Sequence, residues 1–410
     1  MVHLRSAPLF ATGVMLALLT APGQTEAQDR WATPGPWTFL TEAGEVQLVT
    51  VVEELEDPWS MAFLPDHPGD FLLTEKPGRL RRVRGGLLDA EPIPGTPEVR
   101  YGGQGGLLEV ALHPDFLENR ILYLSYSKLH EDGVQGTTAL ARGRFDGERI
   151  HDLEDIFVAE AWSQAGSHFG GKIAFDGAGH LFLSIGDRGA NPLGGPRSEH
   201  AAQDLSNHQG TIVRLHDDGR VPDDNPFVDH PHHTDALPEI WSWGHRNPQG
   251  LAHDPATGRL WSTEHGPQGG DELNLIEPGR NYGWPVIGYG VQYGGTPIHE
   301  GTHREGMEQP VQFWTPSIAT SGLHIYTGDR FPDWRGHLLA GGLDGQQVAR
   351  LPIVENDDGS IQVGRMERPA LFPGFGRIRD IREGPDGYIY LVLDDRRRGR
   401  LTPIVRVEPR

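Results

Sequence analysis

Four groups of residues in this 410-residue chain have the types and spacing to do chemistry. His168 stands just before one apolar run, and Asp187 stands just after the next. If the two runs pair as a hairpin, the residues meet at its open end. A carboxylate on one imidazole nitrogen fixes the tautomer and raises the basicity of the other nitrogen, which is the arrangement of a general base. The alternative is a solvated loop histidine beside a turn aspartate.

The second group is Arg246 and Asn247, followed by Pro248. The proline biases Asn247 toward extended backbone. A guanidinium and an amide are then aimed in fixed directions, as stabilising a developing negative oxygen requires. An arginine paired with a surface carboxylate is the other reading. The third group is Gly266-Pro267 with Asp271-Glu272 and Tyr282. Pro267 lacks an N–H, and hard cations such as calcium take carbonyl and carboxylate oxygens. Glu272 and the Tyr282 carbonyl could share one ion, or the segment could be an ordinary polar turn. The fourth group is Arg377 and Arg379, at alternating positions of an expected strand and so on one face. Two guanidiniums there suit a ligand with several carboxylates, or simply a solvated strand face. The second and third groups lie in one Gly- and Pro-rich stretch, 241–285.

The elements that must position these residues recur along the chain. Six times an apolar run enters a turn containing Pro-Asp, Asp-Gly or Asp-Pro and a second run leaves it. The copies begin at Met61, Leu108, Lys172, Gly250, Gly322 and Ile378. Each reads as a hairpin. Six similar hairpins point to repeated units, and a radial array leaves only short protected edges. The expectation is therefore an all-β, six-bladed propeller over residues 28–410. A pair of β-sandwiches or an irregular solenoid is the alternative. Residues 28–47 read as a lead-in, and 198–209 as a short helix or loop. Insertions at 130–136, 189–208 and 288–309 are expected to wall one end of the channel. Arg396, Arg397 and Arg398 read as a solvated turn.

Composition narrows the function. A net charge of −21 repels phosphate backbones and anionic lipid, so nucleic acid is not an expected partner. With no cysteine, disulfides, thiolate metal sites and thiol nucleophiles are excluded. The chain has no Walker loop, HExxH or GxSxG, and no Rossmann fingerprint in a βαβ context. At the start, His3 and Arg5 precede an apolar run, 7–20, and Thr25-Glu26-Ala27 offers a cleavage site. Residues 1–27 thus read as a secretory signal, too short for a confident membrane span. An uncleaved anchor is the alternative. The mature chain is expected to be periplasmic or secreted, without stable membrane insertion.

The motifs GQGGLLEVALHPDF, HFGGKIAFDG, IGDRG, GHRNPQGLA, EHGPQGGDELNLI, NYGWP, FWTPSIA and GRIRDI occur together from about Leu55 onward. In them the chain resembles the soluble quinoprotein aldose dehydrogenases of the glucose/sorbosone dehydrogenase family. The resemblance implies a six-bladed propeller that binds pyrroloquinoline quinone (PQQ) and calcium at one end of its channel. It implies oxidation of the anomeric carbon of an aldose to a lactone, with hydride passing to the quinone and electrons then to a soluble or membrane acceptor. By that resemblance His168 is the base, Asp187 orients it and Arg246 polarises the quinone oxygen. Gln104 and Asn247 contact the cofactor, and Arg377 and Arg379 bind its carboxylates. The carbonyls of Gly266 and Pro267 hold one calcium, Glu272 and Tyr282 a second, and Trp314 lies near the substrate entrance.

Three positions depart from the family pattern. Asp344 stands where a lysine usually contacts the cofactor, His265 where glutamine is common, and Pro192 near another polar position. An aspartate there would repel a tricarboxylate unless a cation intervenes. Two other functions fit parts of the pattern. One is a calcium-dependent propeller lactonase, in which His168 activates water. The other is a binding propeller that has lost its cofactor.

Overall fold

The computed structural model describes residues 30–395 and 399–410, and there six antiparallel sheets form the blades of a propeller. The expected signal segment and Arg396–Arg398 lie outside the described residues. Blades one to five span 58–88, 107–158, 173–243, 248–314 and 320–351. Each of the six sequence hairpins supplies the two innermost strands of one blade. Among the described residues, the one α-helix is Phe116–Asn119. Residues 198–209 carry 3-10 turns at Arg197–Glu199 and Ala201–Gln203.

The sixth blade closes the ring. Its strands Ile378–Glu383, Ile389–Leu393 and Thr402–Pro409 are completed by Gly44–Leu55 and Trp37–Thr41 from the other end of the chain. Residues 28–47 are therefore not simply a lead-in, because most of 37–47 is paired sheet. The strand alternation explains this: Trp37, Phe39, Val46 and Leu48 are all buried, in one cluster with Val405 and Val407. Second strands such as Phe71–Glu75 and Ile389–Leu393 are buried along their whole length between neighbouring blades. That accounts for their continuous apolar runs.

Two features of the inner strands build the site. First, an antiparallel pair brings the start of its first strand and the end of its second to the same end of the channel. Second, five of the six inner pairs slip register near that end, between Pro58/Ser60, Leu107/Val110, Pro248/Gly250, Thr320/Leu323 and Ile378/Asp380. A bulge re-aims the extra residue and bends the strand. Four residues inside these slips, Trp59, Leu108, Gln249 and Arg379, line the large cavity at this end.

Below the cavity the axis is filled by charge. Lys172 Nζ lies 2.9 Å from Glu109 and 2.8 Å from Asp380. Arg382 bonds Asp380 at 2.8 Å and also pairs with Glu109. Lys172 also lies 4.3 Å above the ring of Trp59. All four charged groups are counted by a partner of opposite sign, which burial requires. Burial pushes the Asp380 carboxyl up, but Arg382 and Lys172 outweigh it and hold it below its usual value.

Because Leu48 packs in the closing blade, Leu48→Ala should lower stability by about 2–5 kcal/mol, measured by denaturant unfolding. A loss below about 0.5 kcal/mol would mean that the closing strands add little to the ring.

Candidate functional site

The cavity has a volume of about 670 Å³, within the usual range for small-molecule sites. Its walls come from strand starts and strand ends of successive blades. Gln104, His168 and Arg246 precede first strands, and Arg377 stands just before the first strand of blade six. Lys76, Gly266, Asp344 and Asp394 follow second strands.

His168 is held on both sides. Its Nδ1 lies 2.6 Å from Asp187 Oδ1, and its backbone N–H donates to Gln104 Oε1 at 2.8 Å. Its φ of 54° is in the left-handed region, which a non-glycine residue keeps only when its surroundings impose it. Gly186 allows the close approach: a Cβ there would come within 2.3 Å of the His168 carbonyl oxygen. Asp187 is fully engaged. Oδ1 also accepts from the Gly189 N–H at 2.8 Å, and Oδ2 accepts from Trp284 Nε1 at 2.8 Å. Since the carboxylate only accepts, Nδ1 carries the proton and Nε2 is left as the basic atom. Burial, reinforced by the Arg246 and Arg188 charges, holds His168 below its ordinary value despite Asp187. For Asp187, burial raises the carboxyl, but His168 and Arg246 bring it below the ordinary range.

Arg246 Nη1 donates to the Gly266 carbonyl at 2.9 Å and to that of His265 at 3.1 Å. Its guanidinium lies 5.3 Å from the Trp284 ring centroid. Glu264 fixes this segment: it accepts the Arg246 N–H at 2.7 Å and pairs with His245 at 2.9 Å. Asn247 does not line the cavity. It is buried behind it, where its Oδ1 accepts the Gly170 N–H at 3.2 Å and its Nδ2 has no hydrogen-bond partner. His265 does line the cavity, and its Nε2 is buried and unpaired. Burial, with Arg246 and Arg379 nearby, pushes His265 well below its usual value.

Arg377 and Arg379 both reach the cavity. Asp394 lies 2.9 Å from Arg379 and 3.9 Å from Arg377, and Asp344 lies 2.6 Å from Arg377. Arg379 also donates to Gln249 at 3.0 Å.

Gly266 and Pro267 separate the large cavity from a second one of about 20 Å³, which Glu264, Glu272 and Tyr282 also line. A volume of that size suits a single water or ion. Burial and the neighbouring Glu264 raise the Glu272 carboxyl well above its usual value. The carboxylates of Glu264 and Glu272 and the backbone carbonyls suit a hard cation, and Arg246, His265 and His299 line the rest of the wall. Among the described residues no three His, Asp or Glu side chains are grouped to hold a metal, so backbone carbonyls would have to complete such a site. Asp271 does not contribute. Its oxygens take the Gly266 and Ile318 N–H groups and the Ser317 hydroxyl.

Trp314, like Asn247, is an expected site residue that does not line the cavity. Trp314 lies in the outer strand Gln312–Trp314 and packs on the cluster containing Trp261 and Ile318, so it is not among the residues lining the cavity. Strand alternation turns the neighbouring Phe313 outward, where it stacks on Tyr289 at 3.9 Å. The aromatic at the mouth is Tyr293, 70% exposed. Of the three insertions, 288–309 supplies the cavity residues Val291 and Tyr293. Residues 189–208 pack behind Asp187, where His200 meets Trp284, and 130–136 pack on Trp162 through His130. Pro192 is not among the lining residues.

Sequence reasoning missed Lys76, Asp394, Glu264 and Trp284. The first two stand where a second strand ends, the position already occupied by Asp187 and Asp344, and that repeat was the available signal.

A six-bladed propeller with a paired His–Asp and three cavity arginines defines a class, and comparison with known proteins places the chain within it. The Glucose / Sorbosone dehydrogenase family matches residues 55–403. The aldose sugar dehydrogenase YliI of Escherichia coli is 41% identical, over 93% of this chain and 95% of the relative. The crystal structure of the soluble aldose sugar dehydrogenase of Escherichia coli, in its apo form, superimposes with a TM-score of 0.80. It is 40% identical and covers 89% of this chain and all of that one. A PQQ-bound aldose sugar dehydrogenase from Streptomyces coelicolor gives 0.68, at 27% identity over 92% and 99%. The chain belongs to the glucose/sorbosone dehydrogenase family of oxidoreductases.

Trp284 should act on His168 through Asp187. Replacing it by phenylalanine removes one hydrogen bond from the carboxylate and leaves more negative charge facing the imidazole. The His168 pKa should therefore rise in Trp284→Phe, read by NMR titration of the ring. An unchanged value would limit Trp284 to packing.

Proposed function

We propose that this protein is a quinoprotein aldose dehydrogenase that oxidises the anomeric carbon of a sugar to the lactone. The observation that carries the reading is the His168–Asp187 pair at 2.6 Å, opening on a cavity that Arg246, Arg377 and Arg379 also line. The cavity fits an acidic, oxygen-rich cofactor: it offers guanidiniums, the Gln104 amide and the unpaired His265 nitrogen. PQQ, when bound, supplies the two-electron acceptor that a sugar C–H bond needs to leave as hydride.

The residues of the chain do the rest. His168 Nε2 takes the proton of the anomeric hydroxyl, and Asp187 holds the ring in the tautomer that leaves this nitrogen free and stabilises the imidazolium formed. Arg246 places fixed positive charge on the wall where negative charge develops, at no reorganisation cost during reaction. Arg377 and Arg379 bind carboxylates, and Gln104 braces the His168 backbone. Asn247, with its spare N–H behind the wall, supports the cofactor-facing backbone at Gly170. One calcium would be held by the Gly266 and Pro267 carbonyls and a second, behind them, by Glu272 and the Tyr282 carbonyl, where its charge would relieve the repulsion between Glu264 and Glu272. The substrate is an aldose entering past Tyr293, and electrons leave to a soluble or membrane acceptor. Residues 1–27 are read as an export signal, so the mature protein works in the periplasm or outside the cell. N-terminal sequencing of that fraction should find residue 28 first.

Adding PQQ with calcium to the apo-protein should produce dye reduction on aldoses. No reduction across a panel of aldoses would overturn the proposal. In the reconstituted enzyme, His168→Gln should lower kcat by about 10²–10⁴-fold, the usual worth of a general base.

The pH dependence follows from the direction of the His168 shift. Its folded pKa lies below the ordinary imidazole value of 6.5, chiefly because the ring is buried. The base is therefore fully available above that value, and kcat/KM should fall only as pH drops through the lower folded value. The same group contributes stability that is fully present above 6.5 and is lost as pH falls, because the unfolded chain takes up the proton first. An acid limb lying above pH 6.5 would exclude His168 as the titrating base.

A further inference from the structure

The cavity wall that should hold carboxylates carries carboxylates of its own. Asp344 Oδ1 lies 2.6 Å from Arg377 Nη1, and Asp394 lies 2.9 Å from Arg379. The two acids differ in freedom. The Asp394 side chain is 8% exposed and the Asp344 side chain 48%. The Asp344 backbone is nonetheless fixed: its N–H and that of Gly345 both donate to the Ile318 carbonyl, at 3.0 and 2.9 Å, and Leu343 N–H donates to Ala319 at 2.9 Å. Asp344 is thus a short acidic side chain on a pinned turn. It is placed on the guanidinium, and water is available to it if it swings away.

We propose that Asp344 is a built-in counter-ion of Arg377. It competes with any carboxylate-bearing ligand for that guanidinium and so sets how tightly the cavity holds its anionic cofactor. The proposal rests on the quinone reading above, which makes the ligand a tricarboxylate. A ligand carboxylate that reaches Arg377 must displace Asp344 into water or sit beside it. Either route subtracts from the Coulomb gain that two arginines would otherwise give. The partial exposure of Asp344 makes displacement the cheaper route and limits the penalty to that of a partly solvated ion pair. A second consequence concerns selectivity. A ligand that brings its own cation tolerates Asp344, whereas a bare polyanion does not, so the residue favours a metal-loaded ligand over free polycarboxylates.

The test is a binding titration of the apo-protein with PQQ, with and without calcium, read by absorbance. It compares wild type with Asp344→Asn and Asp344→Lys, and checks the fold of each by circular dichroism. A parallel arm measures thermal stabilisation by citrate, a tricarboxylate that is not a quinone. Removing the carboxylate should tighten PQQ binding by about fivefold or more, the ratio that about 1 kcal/mol gives. Lysine should tighten it further, and the gain should be larger without calcium. Citrate should stabilise both variants more than wild type. Equal or weaker binding of both anions by folded variants would overturn the proposal. If no form binds PQQ but citrate still stabilises the variants more, the quinone reading fails and the counter-ion role stands.

Discussion

Six sheets around an axis leave a centre that no blade can fill alone, and the packing of that centre conditions everything above it. Here the first strands of the second, third and sixth blades meet through Glu109, Lys172, Asp380 and Arg382. Removing one member would leave an uncompensated buried charge, which costs several kcal/mol. Trp59, which belongs to both the network and the cavity wall, transmits that rigidity upward. The floor is therefore fixed in charge and position before any ligand arrives. The site above can be assembled from short loop residues because their anchor points do not move.

The site itself is a product of strand ends. An antiparallel inner pair delivers two short stretches to the cavity, and six such pairs deliver the whole wall. His168 and Asp187 are the clearest case, one from each end of a single hairpin. Arg246 and Gly266 repeat the scheme in the next blade, and Arg377 and Asp394 in the last. Across blades the links are polar and specific. Trp284, in the fourth blade, holds the aspartate of the third. Glu264 holds the backbone of Arg246. The acid–base pair and the candidate cation site are thus parts of one hydrogen-bonded block.

How much of this could be read from the sequence depended on the kind of signal. The blades were legible because apolar periodicity and turn chemistry are local. The meeting of His168 with Asp187 was legible because a hairpin fixes it. The strands 37–55 were not read as part of the last blade, since pairing Leu48 with Val407 joins residues more than 350 positions apart. Trp314 rested on the family resemblance alone, and the alternation of its strand turned it into the blade. Register slips are invisible to a period-two pattern, so the inward turn of Trp59 and Gln249 was not foreseen. Lys76 and Asp394 were missed because single charged residues at strand ends look like ordinary solvated turns.

Ring closure carries a consequence for how the protein is made. The strand Thr402–Pro409 is the middle member of the last blade, pairing with Gly44–Leu55 on one side and Ile389–Leu393 on the other. Before that strand is in place, five blades can form but the circle cannot shut. Until then Gly44–Leu55 keeps an open edge, the kind that recruits other chains. The circle therefore shuts only once residues 402–409 are in place, whatever the order in which the five earlier blades form.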